Sequence, residues 1–195
     1  MIYKKSEYAD VLKLADEKKV QGLHEESIKI CEAILCDDLD CAEAYEEIGD
    51  NYLSLRQFDK AITALNRALK IAPTSANAHY LLGFTYSSMN KWDKSIEELE
   101  VADNLEPNHA EILRCLGWSI FHSGRRRQGL VLLERAAELS KEDILILSDL
   151  GICYLNERSF DKAERIFQVI LNLEPQNDKA RECLKACNYF RKKVK

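Results

Sequence analysis

The chain has 195 residues, 46 % of them hydrophobic, with seven glycines and only three prolines; this is enough for one ordinary domain or a short helical array, and it excludes a disordered chain. The net charge of −5 is concentrated at one end, since residues 1–55 carry fourteen acids against six bases and residues 56–195 carry nineteen against twenty-two. That balance argues against nucleic-acid or anionic-membrane partners, and no run approaches the roughly 18 apolar residues of a membrane span.

The opening stretch, MIYKKSEYADVLKLADEKKV, is charged throughout and holds no apolar core of signal-peptide length, so a cytoplasmic protein with reduced thiols is expected. Residues 8–41 read as a weak helical unit, with Leu14, Ala15, Gly22 and HEESI in phase with the stronger units downstream. It ends in CEAILCDDLDC, whose five-residue spacings suit neither a zinc knuckle nor one helix face; no metal and no cofactor is expected. From Ala42, the residues Tyr45, Ile48 and Tyr52 recur at helical spacing, and after a short turn Phe58, Ile62, Leu65 and Leu69 do so again, up to Pro73. The FDKA that starts this second helix returns as Trp92-Asp93-Lys94-Ser95 and as Phe160-Asp161-Lys162-Ala163. Period-two alternation and hairpin turns are absent, so no strand is predicted.

Gly49, Gly83, Gly117 and Gly151 stand 34 residues apart, and Pro73, Pro107 and Pro175 share one phase of the same period. A glycine inside a helix costs about 1 kcal/mol relative to alanine, so four in phase require a packing reason. Close approach of two helices supplies it, with the small residues at 61, 68, 95, 102, 136 and 163 expected opposite. Such a pair has too little apolar surface to fold alone and must stack on its neighbours.

The unit resembles the tetratricopeptide repeat, W-x2-L-G-x2-Y…A-x3-F…P. Its positions are held by Tyr45, Ile48, Gly49, Tyr52, Ala61, Leu65 and Pro73, and next by His79, Leu82, Gly83, Tyr86, Ser95, Leu99 and Pro107. They are then held by Leu113, Leu116, Gly117, Ile120, Gly129, Leu133 and Lys141, and last by Leu147, Leu150, Gly151, Tyr154, Ala163, Phe167 and Pro175. The resemblance implies an all-α, right-handed superhelical solenoid of antiparallel helix pairs. It implies a single domain over residues 1–195, with repeats at about 8–41, 42–75, 76–109, 110–143 and 144–177 and a polar capping helix at 178–193.

It also implies a concave groove lined by the first helix of each pair. Asp16, Asp50, Phe84, Trp118 and Ile152 then form one ladder, with neighbouring helices about 8–10 Å apart. Glu43 and Glu46 join it at an acidic end, Asn77 and Tyr80 in the middle, then Arg114, Phe121 and His122. Aromatics offer about 150–250 Å² each, so Tyr80, Phe84, Trp118 and Phe121 suit an apolar anchor from a partner's peptide or helix. Arg114 and Asn77 would orient that segment, and the acidic end would take a basic flank. The same aromatics would equally serve to pack the next repeat. Two carboxylates, Asp16 and Asp50, stand where chaperone-binding members clamp a C-terminal carboxylate, which argues against the Hsp90 and Hsp70 tails as ligands.

The fourth unit departs most. FHSGRRRQGL puts Arg126 where others have an aromatic, and Arg125, Arg126 and Arg127 at a helix start oppose its positive dipole end. They read either as a contact for an anion or acidic partner or as a solvated turn whose arginine stems cover the missing aromatic. The RKKVK tail reads as a solubilising end.

No phosphate-cradling loop and no HExxH is present, and Cys115 beside Arg114 and His122 is better read as a structural thiol than a nucleophile. The expectation is a non-catalytic module that binds another protein. The alternatives are a homo-oligomeric scaffold that self-associates, a secretion-type chaperone and an adaptor subunit of a larger complex.

Overall fold

The structure, a computed structural model, describes residues 4–193. Among these a short 3-10 turn, Lys5–Glu7, precedes eleven α-helices, and no strand forms. They are α1 (Tyr8–Val20), α2 (His24–Asp37), α3 (Ala42–Ser54), α4 (Phe58–Ile71), α5 (Ala76–Ser88) and α6 (Trp92–Leu105). Then follow α7 (Ala110–His122), α8 (Arg126–Leu139), α9 (Ile144–Asn156), α10 (Phe160–Leu173) and α11 (Asp178–Lys193). They gather into two compact units, Met1–Glu106 and Pro107–Lys195, the first containing α1–α6 and the second α7–α11.

Each first helix ends the same way. The chain turns left-handed just beyond it, at Gly22 (φ 77°), Arg56 (58°), Asn90 (57°), Gly124 (98°) and Arg158 (57°), again 34 residues apart. At four of these ends the left-handed residue donates to the carbonyl three residues back and its successor to the carbonyl five back. Arg56 N–H reaches Leu53 O at 2.9 Å and Gln57 N–H reaches Tyr52 O at 2.8 Å, with the same pattern at Gly22, Asn90 and Arg158. This is a Schellman cap, which satisfies the orphan carbonyls and turns the chain back along itself. The second helices α4, α6 and α10 end two residues before Pro73, Pro107 and Pro175. α8 stops in the same register without a proline, and Asp143 caps α9 through the amides of Leu145 and Ile146 at 2.8 and 3.0 Å.

The in-phase glycines are seats for large side chains of the second helix. A Cβ on Gly49 would lie 2.6 Å from Leu65 Cγ, one on Gly83 2.6 Å from Leu99 Cγ, and one on Gly151 2.8 Å from the Phe167 ring. The expected small partners, Ala61, Ala68, Ser95, Ala102, Ala136 and Ala163, are all fully buried. What closes over each of these three glycines, however, is the bulky residue four positions beyond Ala61, Ser95 or Ala163. The lysine of the FDKA motif has its own place. Lys60 lies over the Tyr52 ring at 5.1 Å, Lys94 over Tyr86 at 5.5 Å and Lys162 over Tyr154 at 4.9 Å, one cation–π contact linking the two helices of each pair.

In the first unit the core runs from Val11, Ala15 and Ile34 through Ile48 to Leu65 and Leu82. In the second it runs from Leu113 and Leu133 through Leu150 and Phe167 to Ala180 and Cys187 of α11. α11 packs against that core through Cys183 and Leu184 as well. It carries Lys185 in the glycine phase and Asn188 in the tyrosine phase. Arg191 ties it to Asp161 and Glu164 of α10 at 3.1 and 2.5 Å. Of the RKKVK tail, residues 194 and 195 lie outside the described residues.

Candidate protein-binding site

In the first unit, α5 sets Asn77, Tyr80 and Phe84 at i, i+3 and i+7, which is one face of a helix. The Tyr80 and Phe84 rings stack with centroids 6.2 Å apart and planes 9° from parallel. Both are half-buried, their inner edges against Leu53, Leu81 and Leu82. Asn77 donates to Glu46 at 2.7 Å and the Ser75 hydroxyl donates to the same carboxylate at 2.5 Å, so Asn77 orients Glu46.

The acidic end is built around a cation that sequence reasoning missed. Lys19 Nζ lies 3.0 Å from Asp16, 3.0 Å from Glu47 and 2.8 Å from Asp50. Burial works against the ammonium charge, but hydrogen bonds to Asp50 and Glu47 outweigh it and hold the Lys19 pKa above the ordinary lysine value. Burial raises the Glu47 pKa, with Lys19 opposing. Glu47 is held from behind, where the buried Asn51 amide donates to its main-chain carbonyl at 2.8 Å and to Ser27 of α2 at 2.9 Å. A cavity of about 250 Å³ opens here, walled by Leu12, Leu81, Glu43, Glu46 and Asp50 beside Lys19. Asp16 and Asp50 are therefore partly neutralised, and Glu43 and Glu46 are the carboxylates that Lys19 does not hold. The signal was readable: Lys19 follows Asp16 by three residues and so shares its helix face.

In the second unit, α7 sets Arg114, Trp118 and His122 at i, i+4 and i+8, with Asp149 and Ile152 on α9. Trp118 and Ile152 are half-buried against the core. The Trp118 and His122 rings lie 4.3 Å apart, and burial lowers the His122 pKa, against the pull of Asp149. Arg114, 11 % exposed, donates to Asp149 at 2.9 Å. Burial raises the Asp149 pKa and Arg114 pulls it back, so the guanidinium that was expected to orient a ligand is committed to an internal carboxylate.

Phe121 departs from its expected place in the groove. It is 3 % exposed and belongs to the core. Its register equivalents Leu53 and Ser87 are buried too, and here the helices are in close contact, since a Cβ on Gly129 would meet Gly117 O at 2.5 Å, Phe121 N at 2.6 Å and Phe121 Cβ at 2.7 Å. Arg126 covers the Phe121 ring, with the guanidinium 5.8 Å from the ring centroid and 2.9 Å from Glu157. Arg125 donates weakly to Ser123 at 3.4 Å, and Arg127 is exposed. Cys115 is 2 % exposed, and burial pushes the thiols of Cys31 and Cys153 up to about 12, which disfavours the nucleophilic thiolate. Among the described residues no helix is long and apolar enough to cross a membrane.

Family models of the tetratricopeptide repeat match residues 49–90, 76–109 and 121–186. The chain belongs to the tetratricopeptide-repeat family. Solved structures agree on the fold. A thermophilic TPR protein of Thermus thermophilus, TTC0263, superposes with a TM-score of 0.79 at 17 % identity, covering 93 % of this chain and 98 % of that one. PilF of Pseudomonas aeruginosa gives 0.78 at 14 % identity over 95 % and 90 %. YrrB, a TPR protein described as having an unusual peptide-binding site, gives 0.67 at 18 % identity over 90 % of each chain. No curated protein matches in sequence. Tetratricopeptide folds are generally non-catalytic, and the fold supports a protein–protein interaction module here.

Proposed function

We propose that the chain is a non-catalytic cytoplasmic module, acting as one array of repeats, that holds a peptide or helix of a partner protein on its first-helix faces. The observation that carries this is the Tyr80–Phe84 stack, half-exposed on α5 in the same unit as the carboxylate-walled cavity of Glu43 and Glu46. Aromatic rings held rigid by packing on one side are efficient anchors, because little conformational entropy is lost when a partner covers the other. An apolar anchor seats on Tyr80 and Phe84, and a basic flank meets Glu43 and Glu46. In the second unit Trp118, His122 and Ile152 offer a further apolar surface, which Arg114 shapes by fixing Asp149.

The test is affinity capture from native cytoplasm with identification by mass spectrometry, comparing the wild-type chain with Phe84→Ala and Trp118→Ala, separately and together, after circular dichroism shows each variant folded. Partners held by the wild type and lost by a variant are expected. Retention of every partner by the double variant overturns the reading.

A further inference from the structure

A concavity of the first unit lies on the other side of its helix pairs, between the second helices α2 and α4. It measures about 820 Å³, and its floor is Tyr45, Ile48 and Tyr52 of α3 with Leu35 and Ile62 on the flanks. One register position beside it differs in size from its equivalents. In the 34-residue register, Ile30, Ala64, Glu98, Leu132 and Ile166 are equivalent. Glu98 reaches His79 of its own first helix at 2.7 Å. A Cβ on Gly117 would lie 3.1 Å from Leu132, and one on Gly151 3.2 Å from Ile166, so these side chains cover their first helices. Ile30 packs into the core cluster of α1–α3. Ala64 is the shortest of the five, and the trough opens beside it over the half-buried Tyr45 and Tyr52.

The walls carry charge. Lys60, Arg67 and Lys70 line the α4 side at i, i+7 and i+10, with Asp59 at its start and Glu32 on the α2 side. All three cations are exposed. Lys60 is held over the Tyr52 ring, and among the described residues none of the three forms an ion pair with a carboxylate. The lining on α4 runs from Asp59 to Lys70, about 16 Å at 1.5 Å per residue, or three helical turns. An apolar trough of that length, edged by a row of unneutralised cations, has the shape and charge of a seat for a helix rather than for a compact ligand.

We propose that this trough docks an amphipathic helix of a partner protein whose apolar stripe is flanked by carboxylates, the carboxylates lying over Lys60, Arg67 and Lys70. The floor uses the face of α3 opposite the one that carries Glu43, Glu46 and Asp50, and the partner differs in sign, acidic here and basic at Glu43 and Glu46.

The probe is a displayed library of synthetic helices of about four turns, with a fixed apolar stripe and randomised flanks, panned on the full chain. Enrichment of Asp and Glu in the flanks is expected. The best peptide is then titrated by fluorescence anisotropy. Ala64→Leu, which places in the trough the residue α8 carries in the same register, should weaken binding at least about tenfold. Arg67→Glu/Lys70→Glu, two exposed changes that leave the packing untouched, should do the same and flatten the salt dependence that the wild type shows. Phe84→Ala should bind as the wild type does, which separates failure here from failure of the first-helix reading. Basic or neutral flanks, no enriched peptide, or equal binding by both trough variants overturns the proposal. An anionic fatty acid that binds when no helix does overturns it in favour of a lipid site.

Discussion

In the α3–α4 pair, Lys60 lies over Tyr52, Leu65 closes over Gly49, and Phe58 opens the second helix. In the α7–α8 pair six positions around these contacts are all different. Tyr52, Leu53, Arg56, Phe58, Lys60 and Ala61 correspond to Ile120, Phe121, Gly124, Arg126, Gln128 and Gly129. The aromatic has moved from the start of the second helix to the end of the first. Gly129 lets the second helix lie directly against the backbone of Gly117 and Phe121, and Arg126 covers the ring that has taken over. Lysine and tyrosine leave together because neither makes its contact without the other. Taken singly, the changes at 120, 121, 124, 126, 128 and 129 are six differences between two repeats. Taken as a set they are one alternative packing of the same two helices, so the substitutions are coupled.

The strongest way to break that comparison is Phe121→Ala. As a core residue it should cost about 3–5 kcal/mol, the range for emptying a buried phenylalanine site, measured by urea denaturation. A cost below about 1 kcal/mol together with loss of partner capture would return Phe121 to the groove.

Next in size is Gly129→Ala. Helix propensity alone favours the change by about 1 kcal/mol, but the new methyl would stand 2.5 Å from Gly117 O and 2.6 Å from Phe121 N. These are backbone atoms that move only if the helices part, so overpacking should win and the net loss should be about 2 kcal/mol. Ala61→Gly in the other pair should lose about 1 kcal/mol, for entropy and packing rather than a clash. If Gly129→Ala proves stabilising in the same denaturation assay, the two pairs are packed alike after all.

Both pairs also mark what was legible in the sequence. Helix positions and the glycine phase follow from periodicity, because a residue needed by the same contact recurs every 34 positions. Lys60, Lys94 and Lys162 could be seen to recur, yet their seat on a tyrosine could not, since that contact joins residues eight apart across a turn whose geometry periodicity does not report. The groove was less legible than the array. Phe121 was placed in it, whereas its register position faces the core in other pairs too, as the buried Leu53 and Ser87 show, and Asn77 and Arg114 looked free because Glu46 and Asp149 lie on different helices. Lys19 was on the right face but was passed over among acids.

The smallest effects concern the turn that ends each first helix. Gly124 adopts its left-handed φ without strain, while Arg56 and Arg158 hold φ near 58° and 57° at about 1–2 kcal/mol for an L-residue. Substituting glycine relieves that strain but returns about 0.4–1 kcal/mol of freedom to the unfolded chain. Arg158→Gly should therefore raise stability by roughly 0.5 kcal/mol. Arg56 differs because its guanidinium sits 5.7 Å from the Phe58 ring centroid, an exposed cation–π contact worth about 0.5–1 kcal/mol. Losing that contact offsets the relief, so Arg56→Gly should leave the urea midpoint where it is. Equal gains at both sites would mean that the Arg56–Phe58 contact contributes nothing. The α3–α4 pair would then hold its turn by the Schellman bonds alone, as its α9–α10 counterpart does.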